Sequence, residues 1–285
     1  MSKLKIAIQK SGRLQEDSLR MLRDCGIKVD NGRDQLRVEA SNFPLELYYL
    51  RNSDIPQYVE DGVVDIAIVG ENLLIEKRSK LEIIKRLGFS KCRLSLAVPK
   101  DVTYKDLNFF EDKQIATSYP NTLSDFLTKN QINATIHTIS GSVEIAPNIG
   151  LADGIMDIVS SGNTLFKNGL QEVSTLFNSE AVLVKSADLT PEVELVLDQF
   201  VFRLNAVLKA KDSRYVLMNV PTAKISEVAK ILPVLKSPTV LPLAQKGWSS
   251  IHSVINIEDF WNVIDQLKAA GAEDILVIPI EKIVL

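Results

Sequence analysis

Asp153-Gly-Ile-Met-Asp-Ile-Val-Ser-Ser-Gly-Asn-Thr-Leu165 is the stretch from which the rest of the chain can be read. Two carboxylates four positions apart lead into Ile158-Val159, a short buried strand by its apolar character. The run Ser160-Ser-Gly-Asn-Thr164 then makes a tight loop, and a helix starts after it. A strand that opens into a loop and a helix is the building unit of α/β folds. Such a loop points several backbone N–H groups and hydroxyls at one spot, which suits a phosphate. Asp153 and Asp157 beside it would hold ribose hydroxyls or the Mg2+ that accompanies a diphosphate. The combination predicts a phosphorylated sugar as ligand. Ser and Gly are also common in turns that bind nothing. The acids weigh against that bland alternative, because ligand sites gather at the carboxyl ends of apolar strands in α/β folds.

The same alternation extends in both directions. Leu4-Lys-Ile-Ala-Ile8 reads as a strand that Lys10-Ser-Gly-Arg13 turns into a helix. Leu14, Ser18, Met21, Leu22 and Cys25 line one face of that helix, and Gly26 ends it. A second helix is expected over 54–61, then a strand over Val63-Val-Asp-Ile-Ala-Ile-Val69 too apolar to have a wet face. Arg93-Leu-Ser-Leu-Ala-Val-Pro99 is a further strand. From Gln114 the pattern restarts: strands at 115–118 and 134–139, a helix at 122–129, and a short helix around 144–148 before the Asp157 strand. A strand at 181–185 and a long helix from Pro191 to Lys211 follow. This predicts two α/β units with mainly parallel sheets, joined by crossings near 95 and 180, with a ligand cleft between them. Residues 1–95 with 180–211 would form lobe I, and 96–179 lobe II with the loop.

Residues 212–285 differ. Strand, helix, two strands, helix and strand in that order make the β-α-β-β-α-β series of a ferredoxin-like unit, with no convincing catalytic cluster in it.

Composition excludes several functions. The 285 residues carry 33 Lys and Arg against 36 Asp and Glu, a net charge of −3 with no basic tract, which argues against nucleic-acid binding. Two cysteines without metal-ligand spacing and only two histidines make a zinc site an unsupported reading. There is no apolar run of about 18 residues, so no membrane span is expected. With no targeting signal in evidence the chain reads as cytoplasmic.

Other positions carry competing readings. Lys10 and Arg13 put two cations at an anion-favouring helix start, either as a phosphate site or as a solvated turn. Asp65, inside an apolar run, reads as a helix-capping or buried hydrogen-bonded group rather than a catalyst, whereas Glu71-Asn72 follows a strand's end, the better place for a ligand contact. Arg93 reads as a snorkelling edge residue, and His137 and His252 as structural.

On these residues the chain resembles the long form of ATP phosphoribosyltransferase. The resemblance is carried by Gln9-Lys-Ser-Gly-Arg-Leu14, Gly62-Val-Val-Asp-Ile-Ala-Ile-Val-Gly-Glu-Asn72 and Cys92-Arg-Leu-Ser-Leu-Ala97. It continues through Ala116-Thr-Ser-Tyr-Pro120, Gly141-Ser-Val-Glu-Ile-Ala-Pro147 and the stretch from Gly150 to Leu165. In the tail it includes Ser237-Pro-Thr-Val-Leu-Pro-Leu243 and Gly271-Ala-Glu-Asp-Ile-Leu-Val-Ile-Pro279. It implies a bilobal, periplasmic-binding-protein-like catalytic part and a ferredoxin-like tail that binds histidine as feedback inhibitor. It implies transfer of the phosphoribosyl group of phosphoribosyl pyrophosphate (PRPP) to N1 of the adenine of ATP, with Mg2+. A homodimer when active, a homohexamer when inhibited, and no separate regulatory subunit are implied too. Carried onto this sequence, Ser160, Ser161, Gly162, Asn163 and Thr164 would hold the 5′-phosphate, and Asp157, with Asp153 second, the ribose hydroxyls or metal. Arg13 and Lys10 would steady ATP phosphates or the departing pyrophosphate, with Glu71 and Glu144 as further cleft contacts. Thr239 and Asp274 are the implied histidine contacts. A solute-binding protein and a metabolite-sensing regulator are the alternatives from other classes; the loop and the missing basic helix weigh against them.

Overall fold

The computed structural model describes residues 2–30, 35–232 and 237–284. The chain forms two compact units, 1–22 with 27–196, and 23–26 with 197–285.

In chain order the first unit runs β1 (Leu4–Gln9), α1 (Arg13–Asp24), β2 (Arg37–Glu39) and β3 (Leu45–Leu50). Next come α2 (Ile55–Glu60), β4 (Ile66–Gly70), α3 (Glu71–Lys77), β5 (Glu82–Arg86) and β6 (Cys92–Pro99). After these come β7 (Gln114–Thr117), α4 (Pro120–Lys129), β8 (Thr135–Thr138) and β9 (Gly154–Val159). Then α5 (Asn163–Lys167), β10 (Leu170–Ser179), β11 (Ala181–Lys185) and α6 (Pro191–Lys211) lead toward the tail. Where one short helix was expected around 144–148 there are two 3-10 turns, Val143–Ile145 and Pro147–Ile149, because Pro147 interrupts the ladder.

Two sheets build the two lobes, with strand orders β2-β3-β1-β4-β11-β5 and β10-β6-β9-β7-β8. β1 is parallel to β3 and β4, and β7 is parallel to β8 and β9. The flanking pairs β2/β3, β4/β11, β5/β11, β6/β9 and β6/β10 are antiparallel. The sheets are mixed, so the expectation of mainly parallel pairing is narrowed to their centres. Strands joined through helices come out parallel, except β2, which follows α1 and runs opposite to β1. Those that carry the chain between lobes arrive from the other direction: 87–91 links β5 to β6, and Glu180 alone links β10 to β11. β6 lies wholly in the second sheet, so the first crossing falls at 87–91, ahead of the expected boundary at 95.

Burial explains the central strands. Ile66, Ala67, Ile68 and Val69 of β4 are all fully buried. Burying each large one contributes about 1.5–3 kcal/mol, so β4 has no stable place at a sheet edge. Asp65 just before it accepts the Lys5 N–H at 2.7 Å, as expected of a hydrogen-bonded acid, and burial raises its pKa. On α1, Ser18, Met21 and Leu22 are buried and Leu14 half-buried, and Cys25, just past its end, is buried too.

In the second unit, β12 (Ser213–Pro221), α7 (Ile225–Ile231), β13 (Thr239–Pro242), β14 (Trp248–Asn256), α8 (Ile257–Ala269) and β15 (Glu273–Pro279) follow α6. The four strands form one antiparallel sheet in the order β13-β14-β12-β15, the ferredoxin-like arrangement. Val216, Met218, Val220, Ile251 and Ile255 on one face pack with Val228, Phe260 and Leu267. This core contains no residue of α6, although the second unit begins at Leu197, inside that helix, ahead of the expected boundary at 212.

Candidate active site

β9 lies between β6 and β7, and its last residues deliver the chain to the loop. Asp157 sits across from Ser95 of β6, and its Oδ1 accepts the Ile158 N–H at 2.7 Å. Gly162 then adopts φ +77°, a conformation in which glycine alone is unstrained, and starts α5. The helical ladder opens with Phe166 N donating to Gly162 O at 3.0 Å. The amides ahead of it have no helical partner, as at any helix start, and Asn163 N reaches only Ser161 Oγ at 3.4 Å. A small open pocket of about 70 Å³ is lined here by Glu144, Asp157, Ser160, Ser161, Gly162 and Thr164. Asn163 is exposed and contributes nothing to that lining.

Burial, reinforced by the charge of Glu144, pushes the Asp157 carboxyl up to about 6, against the opposing Ile158 N–H bond. Burial first, then the charge of Asp157, raise the pKa of Tyr119, so its phenol stays protonated.

Asp153 does not join this site. It precedes β9, at the opposite end of the strand from the loop, roughly 20 Å away at about 3.3 Å per residue. Its Oδ2 accepts the Gln114 N–H at 2.9 Å and its Oδ1 pairs with Lys113 at 3.4 Å. Spacing four in a strand separates two residues along it, whereas in a helix it would have stacked them.

In the first lobe, Lys10 follows β1 and its N–H donates to Leu50 O at 2.8 Å, after a parallel register that pairs Gln9 with Leu50. Arg51, which sequence reading passed over, therefore lies beside Lys10 at the same sheet edge. Arg13 is 71% exposed, its Nε 3.9 Å from Asp17, leaving the guanidinium available to an anion. Glu71 is not available as a free acid. Arg86 holds it through two bonds of 2.5 and 2.6 Å, so the expected ATP contact is occupied by an ion pair from β5.

Three further residues bear on the site: Asn72, which the sequence had singled out with Glu71, and Arg93 and Glu76, whose contacts it did not show. Arg93 gives two bonds of 2.5 Å to Glu172 on β10 and one of 3.2 Å to the Ser160 carbonyl, bracing the start of the loop rather than snorkelling. Asn72 donates to Tyr119 Oη at 3.3 Å, and the adjacent Gly70 makes room: a Cβ there would lie 2.4 Å from Asn72 Oδ1. Glu76 reaches the start of α4. The Gly70-Glu71-Asn72 run was the available signal for this group.

Residues 51–206 match the family described as ATP phosphoribosyltransferase, and 210–282 match the domain described as HisG, C-terminal domain. Proteins named ATP phosphoribosyltransferase from Cytophaga hutchinsonii and Phocaeicola vulgatus are 54% and 53% identical, each over 99% of this chain and 98% and 100% of their own. The chain belongs to the ATP phosphoribosyltransferase family. Among solved structures, the ATP phosphoribosyl transferase (HisG:HisZ) complex from Thermotoga maritima is similar, with 28% identity and a TM-score of 0.63. That match covers 73% of this chain and 98% of the Thermotoga chain.

In this family member's tail, the two residues singled out for histidine do not meet. Thr239 is on β13 and Asp274 on β15, the opposite edges of the four-stranded sheet, about 14 Å apart at roughly 4.8 Å per strand. Within one chain they cannot grip one amino acid. Asp274 instead accepts from Asn219 at 3.0 Å. His252 lies between Tyr215 Oη (2.8 Å) and Ser250 Oγ (3.0 Å), and His137 beside Gln114 Oε1 (3.0 Å). Among the described residues no three His, Cys, Asp or Glu side chains gather as a metal site, and no helix is long and apolar enough to cross a membrane.

Proposed function

We propose that the chain transfers the phosphoribosyl group of PRPP to N1 of the adenine of ATP, releasing pyrophosphate, as the first step of histidine biosynthesis. The observation that carries this reading is the pocket of Asp157, Glu144, Ser160, Ser161, Gly162 and Thr164 at the carboxyl end of β9. Its hydroxyls and unpaired amides suit a 5′-phosphate, and Asp157 at its rim suits the ribose diol. At the anomeric carbon the bond to the pyrophosphate oxygen breaks as the bond to adenine N1 forms. The leaving group takes the electron pair, and the transition state resembles an oxocarbenium ion. A carboxylate that is ionised at neutral pH, held close to that carbon's ring, stabilises the positive charge. No covalent nucleophile is needed, so the residues act by orientation and electrostatics.

Mg2+ fits the donor set as a guest of the substrate. Asp157 and Glu144 supply two carboxylates, and Mg2+ commonly takes one or two with substrate phosphates and water as the rest. When bound it would neutralise the diphosphate. Lys10 and Arg13, at the edge of the other lobe, would hold the phosphates of ATP or the departing pyrophosphate.

The C-terminal unit supports feedback inhibition by histidine without a separate regulatory subunit, and with it a dimer that becomes a hexamer when inhibited. Purified protein with ATP, PRPP and Mg2+ should form phosphoribosyl-ATP, less of it when histidine is added. No product under these conditions would refute the reading.

A further inference from the structure

Helix α4 starts at Pro120, and the residue at its cap position, Tyr119, gives it no side-chain cap. Its first-turn donors are nevertheless all accounted for. Tyr119 N donates to Thr117 Oγ1 at 2.9 Å, Pro120 has no N–H, and Leu123 N opens the ladder on Tyr119 O at 3.0 Å. The remaining two amides go to one carboxylate. Asn121 N reaches Glu76 Oε1 at 3.0 Å and Thr122 N reaches Glu76 Oε2 at 2.9 Å, with Thr122 Oγ1 adding a bond of 2.7 Å.

Glu76 comes from α3, in the other lobe, and is only 8% exposed. Among the described residues it has no ion-pair partner within 4.0 Å, a costly situation for a buried acid. The amides and the positive end of α4 supply the compensation. One turn earlier on α3, Asn72 binds Tyr119 Oη and also exchanges bonds with Ser179 Oγ, at 3.0 and 3.1 Å. Two buried polar side chains of α3, four residues apart and so on one face, are committed to the second lobe.

The place they hold matters. β7 leads into α4, β9 leads into the phosphate loop, and the two are parallel neighbours with Thr117 beside Met156. The start of α4 and Asp157 therefore share one sheet edge. We propose that Glu76 is a positioning residue for the transfer reaction: by capping α4 from the opposite lobe it fixes the start of that helix beside the strand that carries Asp157. The kinetic consequence rests on the phosphoribosyl-transfer reading; the clasp itself does not.

The test uses the full chain and the variants Glu76→Gln, Thr122→Val and their double. Hydrogen exchange reads the clasp directly: in Glu76→Gln the amides of Asn121 and Thr122 should exchange at least about tenfold faster. Turnover should fall at least about tenfold, while the KM for PRPP moves less than about threefold because the phosphate loop is untouched. Thr122→Val should give the same changes, smaller, and the double variant should be no worse than Glu76→Gln, since the hydroxyl acts through that carboxylate. Should Glu76→Gln fail to fold, Thr122→Val carries the test. Unchanged exchange would remove the clasp, and faster exchange with wild-type turnover would reduce it to a stability device. A wild-type chain that makes no phosphoribosyl-ATP would refute the reaction, with the exchange experiment still deciding the clasp.

Discussion

Glu144 stands on the wall of the same pocket as Asp157, and its negative charge adds to burial in holding the Asp157 carboxyl near pH 6. Two acids share a small site that was read as a phosphate cradle. The arrangement disfavours charge when the pocket is empty and favours it once a cationic centre or metal arrives. It is the electrostatic pattern expected of a site that stabilises positive charge in passing.

Asp157→Ala should lower turnover at least about tenfold, equivalent to roughly 1.4 kcal/mol of transition-state stabilisation. The wild-type kcat/KM for PRPP should fall on the acid side of about pH 6, and this limb should disappear in Asp157→Asn. An unchanged PRPP-dependent rate in the alanine variant would take Asp157 out of the site.

Stability should move the other way. The folded-state pKa of Asp157 is above the ordinary value of 3.8, so its contribution is most favourable below pH 3.8 and is lost as pH rises through about 6. Asp157→Asn should thus be the more stable protein at pH 7.5, by on the order of 1–3 kcal/mol, and the advantage should vanish toward pH 4. Thermal melts of both proteins across pH 4–8 measure this.

Asp153→Ala is the matching control. With its side chain committed to Gln114 N and Lys113 at the far end of β9, the variant should lose about 1 kcal/mol of stability and none of its turnover. A tenfold loss of activity at unchanged PRPP affinity would contradict the placement.

Gly162→Val should weaken PRPP binding. No neighbouring atom would block a Cβ there, so the penalty is the φ of +77°, which a β-branched residue adopts only with strain. The loop would relax and turn its amides away. Arg93→Ala should act similarly by releasing Ser160 O, raising the KM for PRPP while leaving that for ATP near wild type. Normal PRPP affinity in both variants, by titration calorimetry, would refute the cradle.

A chain ending near Lys211 should keep some activity and lose histidine inhibition, and residues 212–285 should fold alone because their core includes nothing from α6. Inhibition that survives the cut would place the effector site elsewhere. Cooperative melting of the isolated tail checks the second half.

Much of this protein is written in short-range patterns. Apolar runs such as Ile66-Ala-Ile-Val69 and glycines such as Gly162 fix strands and turns locally, and the order of elements is enough to specify two α/β lobes and a βαββαβ tail. That Ser160, Ser161, Gly162 and Thr164 make a turn between strand and helix and line one pocket was legible for the same reason: they are a few consecutive residues. Pairings between distant residues were not. That Arg86 occupies Glu71, that Arg93 braces Ser160, that Glu76 caps a helix in the other lobe, and that Thr239 and Asp274 stand on opposite sheet edges all depend on strand order. A sequence sets which groups are available to bond; only packing, by bringing separate chain segments into hydrogen-bonding reach, selects which of them do.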